Sequence, residues 1–324
     1  MDSPDPSSQP RPRRAHQVSR RTLLGALALG APALAGLLSA CGELPTNPQI
    51  SVLLAVNEML PGPHRFPFVL VDGDSGPVTG ANINVRFVRL IGERDEFRFE
   101  APARERVAGA SYDHVHADGT VHVHDDTRSY YLVSDIQFEE GLWRADLEVE
   151  PALGSAYAAS TAFQVGRRTS APRVGDAAPA FANLTSRDVP TLETLTTADP
   201  PLPALYEHSI VETLSRAEPF VVAFSTPGHC TSAMCGPVTA VVGSLSRDFG
   251  DRVRFIHLEP FDLQVARTEG RLVWADAALE WNLETEPWVF VVDASGRVAA
   301  RFEGLVGAVE LEPAVAAVAG PPLN

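Results

Sequence analysis

The chain has 324 residues, 45% of them hydrophobic and 21% charged, with a formal net charge of −15. That length suits two domains rather than one. The acidic balance, in which all 26 basic residues are Arg, argues against nucleic acid as a partner.

The N-terminus is basic at Arg11, Arg13, Arg14, Arg20 and Arg21 and then uncharged from Leu23 to Leu38. That apolar stretch is short of the ~20 residues a bilayer span needs, so it reads as an export signal and stays outside the fold. Ser19-Arg20-Arg21-Thr22-Leu23-Leu24 resembles a twin-arginine signal, and Leu38-Ser39-Ala40-Cys41 resembles the lipobox of bacterial lipoproteins. The resemblance implies acylation of Cys41 and anchoring at the extracytoplasmic face of the cell membrane. Residues 1–41 are then signal and lipobox, and 42–49, "GELPTNPQ", a polar tether. An acylated Cys41 has no thiol, which leaves Cys230 and Cys235 as the only two, in an oxidising compartment where a pair can form a disulfide.

From residue 50 to 165 short apolar or alternating runs, such as "FPFVLVD", "ANINVRFVRL" and "LWRADLEVE", are separated by turn clusters such as "DGDSGPVTG". With almost no helical period, this predicts an antiparallel β-sandwich. "VDGDSGPVTGANINVRF" and "FEEGLWRADLEV" resemble immunoglobulin-like bacterial extracellular modules, which implies a core position for Trp143.

Residues 166–180 begin a basic, Pro/Ala-rich linker, "GRRTSAPRVGDAAPAF", and 181–320 form a second unit of alternating elements. Helices are predicted at "PALYEHSIVETLSRA", "SAMCGPVTAVVGSLSRDFG", "LVWADAALEWNL" and "AVELEPAVAAVAG". Strands are predicted at "PFVVAFST" and "RVRFIHLE" and as a strand–turn–strand at "WVFVVDASGRVAARFEG". The pattern predicts an α/β sandwich with a mixed sheet.

Cys230 falls at the turn from the first of these strands into a helix, where the partial positive charge of a helix N-terminus favours thiolate over thiol. Here the chain resembles the thioredoxin fold. The points of likeness are "PFVVAFST", the cysteine at the strand-to-helix turn, "MCGPVTAVVGSL" with Pro237, and "ETEPWVFVVDASGRV", where Pro287 stands at the place of that fold's cis-proline. "VGDAAPAF" resembles the entry segment of its TlpA-like and peroxiredoxin branches. The likeness implies thiol–disulfide chemistry without a required cofactor. In it Cys230 attacks, Cys235 resolves, Pro287 shapes the substrate groove and amides near 231–233 stabilise the thiolate.

The spacing is C-x4-C rather than C-x-x-C, with Ala233 in the place of the usual second cysteine. On one helix, residues five apart are turned by ~140° and separated by ~7.5 Å along the axis, whereas a disulfide needs Cα atoms under about 7 Å apart. Either Cys230 sits in a loop before the helix, or the first turn unwinds on oxidation. "TPGHCTSAMC" also resembles peroxiredoxin Q-type thiol peroxidases, with His229 inserted, Thr226 displaced by one place and the peroxidase arginine absent. Further alternatives are a structural disulfide and a copper site resembling Sco-type chaperones with His257 as third ligand. His229, when protonated, would lower the pKa of its neighbour.

"DHVHADGTVHVHDD" carries four of the nine histidines, His114, His116, His122 and His124, spaced i, i+2 on two strands about an Asp-Gly turn. A two-residue loop sends the two pairs to opposite faces. A three-residue loop pairs His114 with His122 and brings all four to one face, able to hold Cu or Zn. The leading reading is a lipid-anchored extracytoplasmic thiol–disulfide oxidoreductase acting on protein partners. The alternatives are a non-enzymatic metal- or partner-binding lipoprotein and a thiol peroxidase.

Overall fold

The computed structural model describes residues 44–115, 121–230 and 232–321, so the export signal, the lipobox and Cys41 lie outside the described residues. No described helix is long and apolar enough to cross a membrane.

The first half is antiparallel β. Its strands are β1 (Ile50–Leu54), β2 (Gly62–Asp72), β3 (Gly76–Pro77), β4 (Asn82–Ile91), β5 (Arg94–Ala108), β6 (Ser111–Val115), β7 (Val121–Asp125), β8 (Arg128–Phe138), β9 (Gly141–Glu150) and β10 (Tyr157–Val165). They bond in the order β1-β2-β8-β5-β4-β9-β10, with β3 on β2 and with β6 and β7 as a separate hairpin. Alternation fixes the register: along β9, Trp143, Ala145, Leu147 and Val149 all turn inward. Their core is aromatic, with Phe66 and Phe87 edge-to-face at 5.1 Å and Phe138 edge-to-face on Trp143 at 5.0 Å.

An immunoglobulin-like sandwich implies two separate sheets, whereas here the hydrogen bonding follows one path. The cause is β5, whose 15 residues bond β4 as far as Ala103 and β8 from Arg104 onward. The switch follows Pro102, which has no N–H to give either neighbour. At the other end, Ala158 of β10 donates to Pro45 C=O at 3.0 Å and accepts from the Asn47 N–H at 3.3 Å. The sheet thereby nearly closes on itself.

The second half contains α1 (Ile210–Ser215), β11 (Phe220–Phe224), α2 (Cys235–Phe249), β12 (Arg254–Leu258), α3 (Leu263–Glu269), α4 (Asp276–Glu280), β13 (Trp288–Val292), β14 (Val298–Glu303) and α5 (Ala308–Ala319). The sheet order is β12-β11-β13-β14, with β11 parallel to β12 and antiparallel to β13, and β13 antiparallel to β14. This is the α/β arrangement with a mixed sheet that the alternating pattern predicts. Both central strands are buried on both faces. Val221, Ala223, Val289 and Val291 pack toward α2 and α5, while Phe220, Val222, Phe224 and Phe290 pack toward Ile210, Ala277 and Trp281.

Three helices depart from the sequence pattern. The helix expected over 203–217 divides into a 3-10 turn, Pro203–Tyr206, and α1, because Ser209 is extended at φ −99° and ψ 143°. The helix expected over 272–283 shortens to α4, because Trp274 pairs across to Phe261 as extended chain. Helix α3 was not foreseen, although Asp262 caps it by accepting from the Val265 N–H at 3.0 Å and Gly270 closes it at φ 65°. The Pro/Ala-rich segment 166–181 lies along β14, with Gly175 donating to Val298 C=O at 2.8 Å and Ala178 to Gly296 C=O at 2.9 Å.

The two halves share a core: Ala55, Ala108, Tyr130 and Leu132 pack with Leu305, Val306, Leu311 and Val315. Gly304, at φ 70°, marks how close they come, since a Cβ there would lie 1.6 Å from the Ala55 carbonyl oxygen. Arg65 of β2 grips Glu310 of α5 with both ends of its fork, at 2.8 and 2.9 Å, and reaches Glu303 C=O at 3.1 Å. Tyr130 donates its hydroxyl to Glu310 and accepts from the Gly307 N–H at 2.9 Å. Burial, with the Glu310 charge beside it, pushes the Tyr130 phenol pKa up, so this donor stays protonated.

The Arg65 and Glu310 side chains are 15% and 12% exposed, so removing the guanidinium strands a carboxylate with little access to water. Arg65→Ala is expected to lower unfolding stability by about 3 kcal/mol, read from urea denaturation, whereas Arg86→Ala at the exposed Glu100 pair shifts it by under about 1 kcal/mol.

Candidate active site

Strand β11 ends at Phe224 and delivers the chain through Ser225–His229 to Cys230. Gly228 holds this loop down. Its N–H donates to Thr197 Oγ1 at 2.8 Å, and a Cβ at Gly228 would lie 2.7 Å from Thr197 Cβ. Thr197 in turn donates to the buried Glu259 carboxylate at the end of β12, through its N–H at 2.6 Å and its hydroxyl at 2.7 Å.

Cys230 sits in the loop, and α2 begins at Cys235. Of the two options left by the C-x4-C spacing, the structure takes the first. Ala233, at φ 57°, turns the chain so that the Cys235 N–H donates to Cys230 Sγ at 3.3 Å. The Ser232 hydroxyl is 3.2 Å from the same sulfur. The amides expected to stabilise the thiolate near 231–233 are therefore displaced. Among the described residues the backbone support comes from Cys235, whose N–H gives the 3.3 Å bond, and from Met234, because the helix starts later than the apolar pattern suggested; Thr231 lies outside the described residues.

Cys235 is buried, and its thiol donates to Glu286 Oε2. The same oxygen is 4.0 Å from Cys230 Sγ. Glu286 immediately precedes Pro287, and the peptide between them is cis, as the thioredoxin resemblance implies. Sequence reasoning stopped at the proline and missed this carboxyl. The available signal was an acidic residue one proline ahead of a fully apolar strand.

The segment is anchored behind the carboxyl. Thr285 donates its hydroxyl to Glu303 Oε1 at 2.6 Å, and the Trp288 indole N–H donates to Thr285 Oγ1 at 3.0 Å. The Arg301 guanidinium lies 4.6 Å from the centroid of the Trp288 ring.

The electrostatics separate the two thiols. Cys230 is pushed down to about 5, foremost by the hydrogen bond of the Cys235 thiol and, against the cost of burial, by Ser232 and the backbone of Cys235 and Met234. Cys235 is pushed up by its hydrogen bonding with Cys230, by burial and by the charge of Glu286. Burial also pushes Glu286 up, helped by the negative charges of Cys230 and Glu259. The arrangement thus holds one sulfur as an exposed-side nucleophile and the other as a buried acid beside a carboxyl able to take its proton.

Both ring nitrogens of His257 are engaged. Nδ1 is 2.9 Å from the Tyr206 hydroxyl, and Nε2 is 2.9 Å from Ser225 C=O. Burial pushes its pKa down, so the neutral ring accepts from Tyr206 and donates to Ser225. Ser225 continues through Thr239, at 2.6 Å, to the Cys235 carbonyl, at 2.8 Å. His257 braces the first turn of α2 and is committed there, which removes it as a copper ligand of the Sco kind. His229 bonds through its N–H to Thr226 C=O at 3.2 Å and makes no described hydrogen bond to either sulfur.

In the β6–β7 hairpin the register sets His114 opposite His122 and Tyr112 opposite His124, the pairing of the three-residue alternative. His116 lies outside the described residues. The chain leaving the hairpin meets the first turn of α2: Asp126, just past β7, has its carboxylate 3.8 Å from where a Gly236 Cβ would be. Asp126, Pro227, Gly236, Thr239 and Tyr206 line one cavity of about 320 Å³.

With its pKa near 5, Cys230 is a thiolate above that pH and a thiol below it. Its alkylation rate by iodoacetamide is expected to be flat from about pH 8 to 6 and to halve near pH 5. An ordinary thiol of pKa ~8.5 would instead lose about tenfold per unit over the same range.

No family model and no curated protein matches the chain. Among solved structures, it is similar to a thiol:disulfide interchange protein of the thioredoxin family from Chlorobium tepidum TLS, at 16% identity and a TM-score of 0.30, over 46% of this chain and 100% of that one. It is also similar to a thio-disulfide isomerase from Thermus thermophilus, at 24% identity and a TM-score of 0.28, over 47% of this chain and 99% of that one.

Proposed function

We propose that the protein is a thiol–disulfide oxidoreductase for protein substrates, working at the extracytoplasmic face of the membrane and held there by lipid on Cys41. The observation that carries the chemistry is the Cys230–Cys235–Glu286 cluster beside cis-Pro287, with the Cys235 N–H on the Cys230 sulfur. In the reducing direction, the Cys230 thiolate attacks one sulfur of a substrate disulfide. A mixed disulfide forms, and the other substrate sulfur leaves as a thiolate that takes a proton from water. Cys235 then passes its proton to Glu286 and attacks Cys230 Sγ. The Cys230–Cys235 bond forms, the mixed disulfide breaks, and two electrons have moved to the substrate. The steps in reverse oxidise a substrate dithiol.

The geometry suits the second step. The two sulfurs lie within 4.8 Å of each other, and a shift of the loop-borne Cys230 brings them to the ~2.05 Å of a disulfide without unwinding α2. Pro287 borders the substrate groove, and the β-sandwich positions the redox half toward its partner.

The test uses the full chain carrying Cys41→Ser, reduced and mixed with a disulfide-bonded protein substrate. Cys230→Ser is expected to reduce exchange to background. Cys235→Ser is expected to accumulate a mixed disulfide through Cys230, visible as an added substrate mass that dithiothreitol removes. Exchange at an undiminished rate in Cys230→Ser would show that another group does the chemistry.

A further inference from the structure

Three proton-binding groups, Cys230 Sγ, Cys235 Sγ and a Glu286 carboxylate oxygen, lie within 4.8 Å of one another. Cys230 Sγ is 4.0 Å from Glu286 Oε2, and the Cys235 thiol donates to that same oxygen. Among the described ion pairs none involves Glu286 or Glu259, so no Arg offsets the cluster. An uncompensated, half-buried group of this kind holds either protons or a cation.

We propose that the reduced protein binds one Zn2+ through Cys230, Cys235 and Glu286. Zinc takes Cys sulfur at ~2.3 Å and carboxylate oxygen at ~2.0–2.2 Å in a tetrahedron, which puts ligand atoms about 3.5–3.8 Å apart. The 4.0 Å from Cys230 Sγ to Glu286 Oε2 is close to that edge. The Cys235–Glu286 contact is a hydrogen bond whose proton the metal replaces, and it must lengthen to the same edge. Cys230 is on a loop and can follow, while α2 and the Thr285–Glu303 anchor hold the backbone at Cys235 and Glu286 and leave rotation of the Glu286 side chain to open that contact. Two thiolates with one carboxylate suit zinc; a purely soft ion such as Cu(I) would make no use of the carboxylate. Three protein ligands leave the fourth position for water or an incoming thiolate. Zinc binding forms two Zn–S bonds and one Zn–O bond and changes no oxidation state. It occupies both sulfurs, so metal-loaded protein cannot exchange disulfides until the ion leaves.

The site is built from the residues of the exchange reading, but it requires only reduced thiols and not turnover. The full chain with Cys41→Ser is reduced, freed of reductant under argon and titrated with Zn2+ against a chromophoric chelator, with Co2+ as the spectroscopic probe. One equivalent is expected, with thiolate-to-Co2+ charge-transfer absorption. Oxidation of the unmutated pair to the disulfide should abolish binding, a control that needs no further substitution. Glu286→Gln is expected to weaken the affinity by at least about tenfold, since even outer partners of metal ligands are worth 10–100-fold, and Cys230→Ser to remove the charge-transfer band. Binding unchanged by oxidation or by Glu286→Gln would overturn the proposal, the first by placing the metal elsewhere, as at the histidine hairpin, and the second by leaving the carboxylate no role. Absence of binding at micromolar metal would also overturn it. If exchange persists without zinc binding, the redox reading stands alone; zinc binding without exchange would leave a metal site and no oxidoreductase.

Discussion

One buried carboxylate holds the two halves of this molecule in fixed relation to the chemistry. Glu303, at the end of β14, accepts the backbone N–H groups of Asn57 and Glu58 from the β-rich half and the hydroxyl of Thr285 from the redox half. Thr285 is next to Glu286, which faces both thiols, and Glu286 is next to cis-Pro287. A displacement of the 57–58 loop would therefore be felt two residues from the sulfurs. Such a charged acceptor is stable in the interior because all the donors around it are satisfied by it and it by them.

Around that joint the thiol cluster is assembled from parts that differ in rigidity. Cys235 and Glu286 are set by a helix start and a strand start. Cys230 is set by a loop held through Gly228, Thr197 and Glu259. Cys230 is thus on the side that can move, and the backbones that carry Cys235 and Glu286 are on the side that cannot. The proposed exchange would use this division, because an attacking sulfur must meet first a substrate and then its own partner.

Much of the architecture was legible because apolar periodicity reports burial, and burial is what these strands share. β11 and β13 read as unbroken apolar runs since both faces are covered, and β9 read as alternation since only one is. The thiols were found by their place at a strand-to-helix turn. Features set by tertiary contact were not legible. The start of α2 at Cys235 depends on Ala233 adopting φ 57°, a conformation alanine does not announce. Glu286 was hidden because its neighbours in space are 51 and 56 positions away in sequence. The single path of the β-rich sheet depends on where β5 changes partners, and only Pro102 hints at that.

The shared core of Tyr130, Leu132, Leu305 and Val306 bears on how such a chain can be inherited. Many redox folds travel between proteins as cassettes, joined by a tether and indifferent to what precedes them. Here separating the halves at 166–181 would bare Leu305, Val306 and Leu311 to water, take the Asn57 and Glu58 donors from Glu303 and take Arg65 and Tyr130 from Glu310. Recombination that separates the halves would therefore cost stability directly, which ties the thiol site to the β-rich half as one unit.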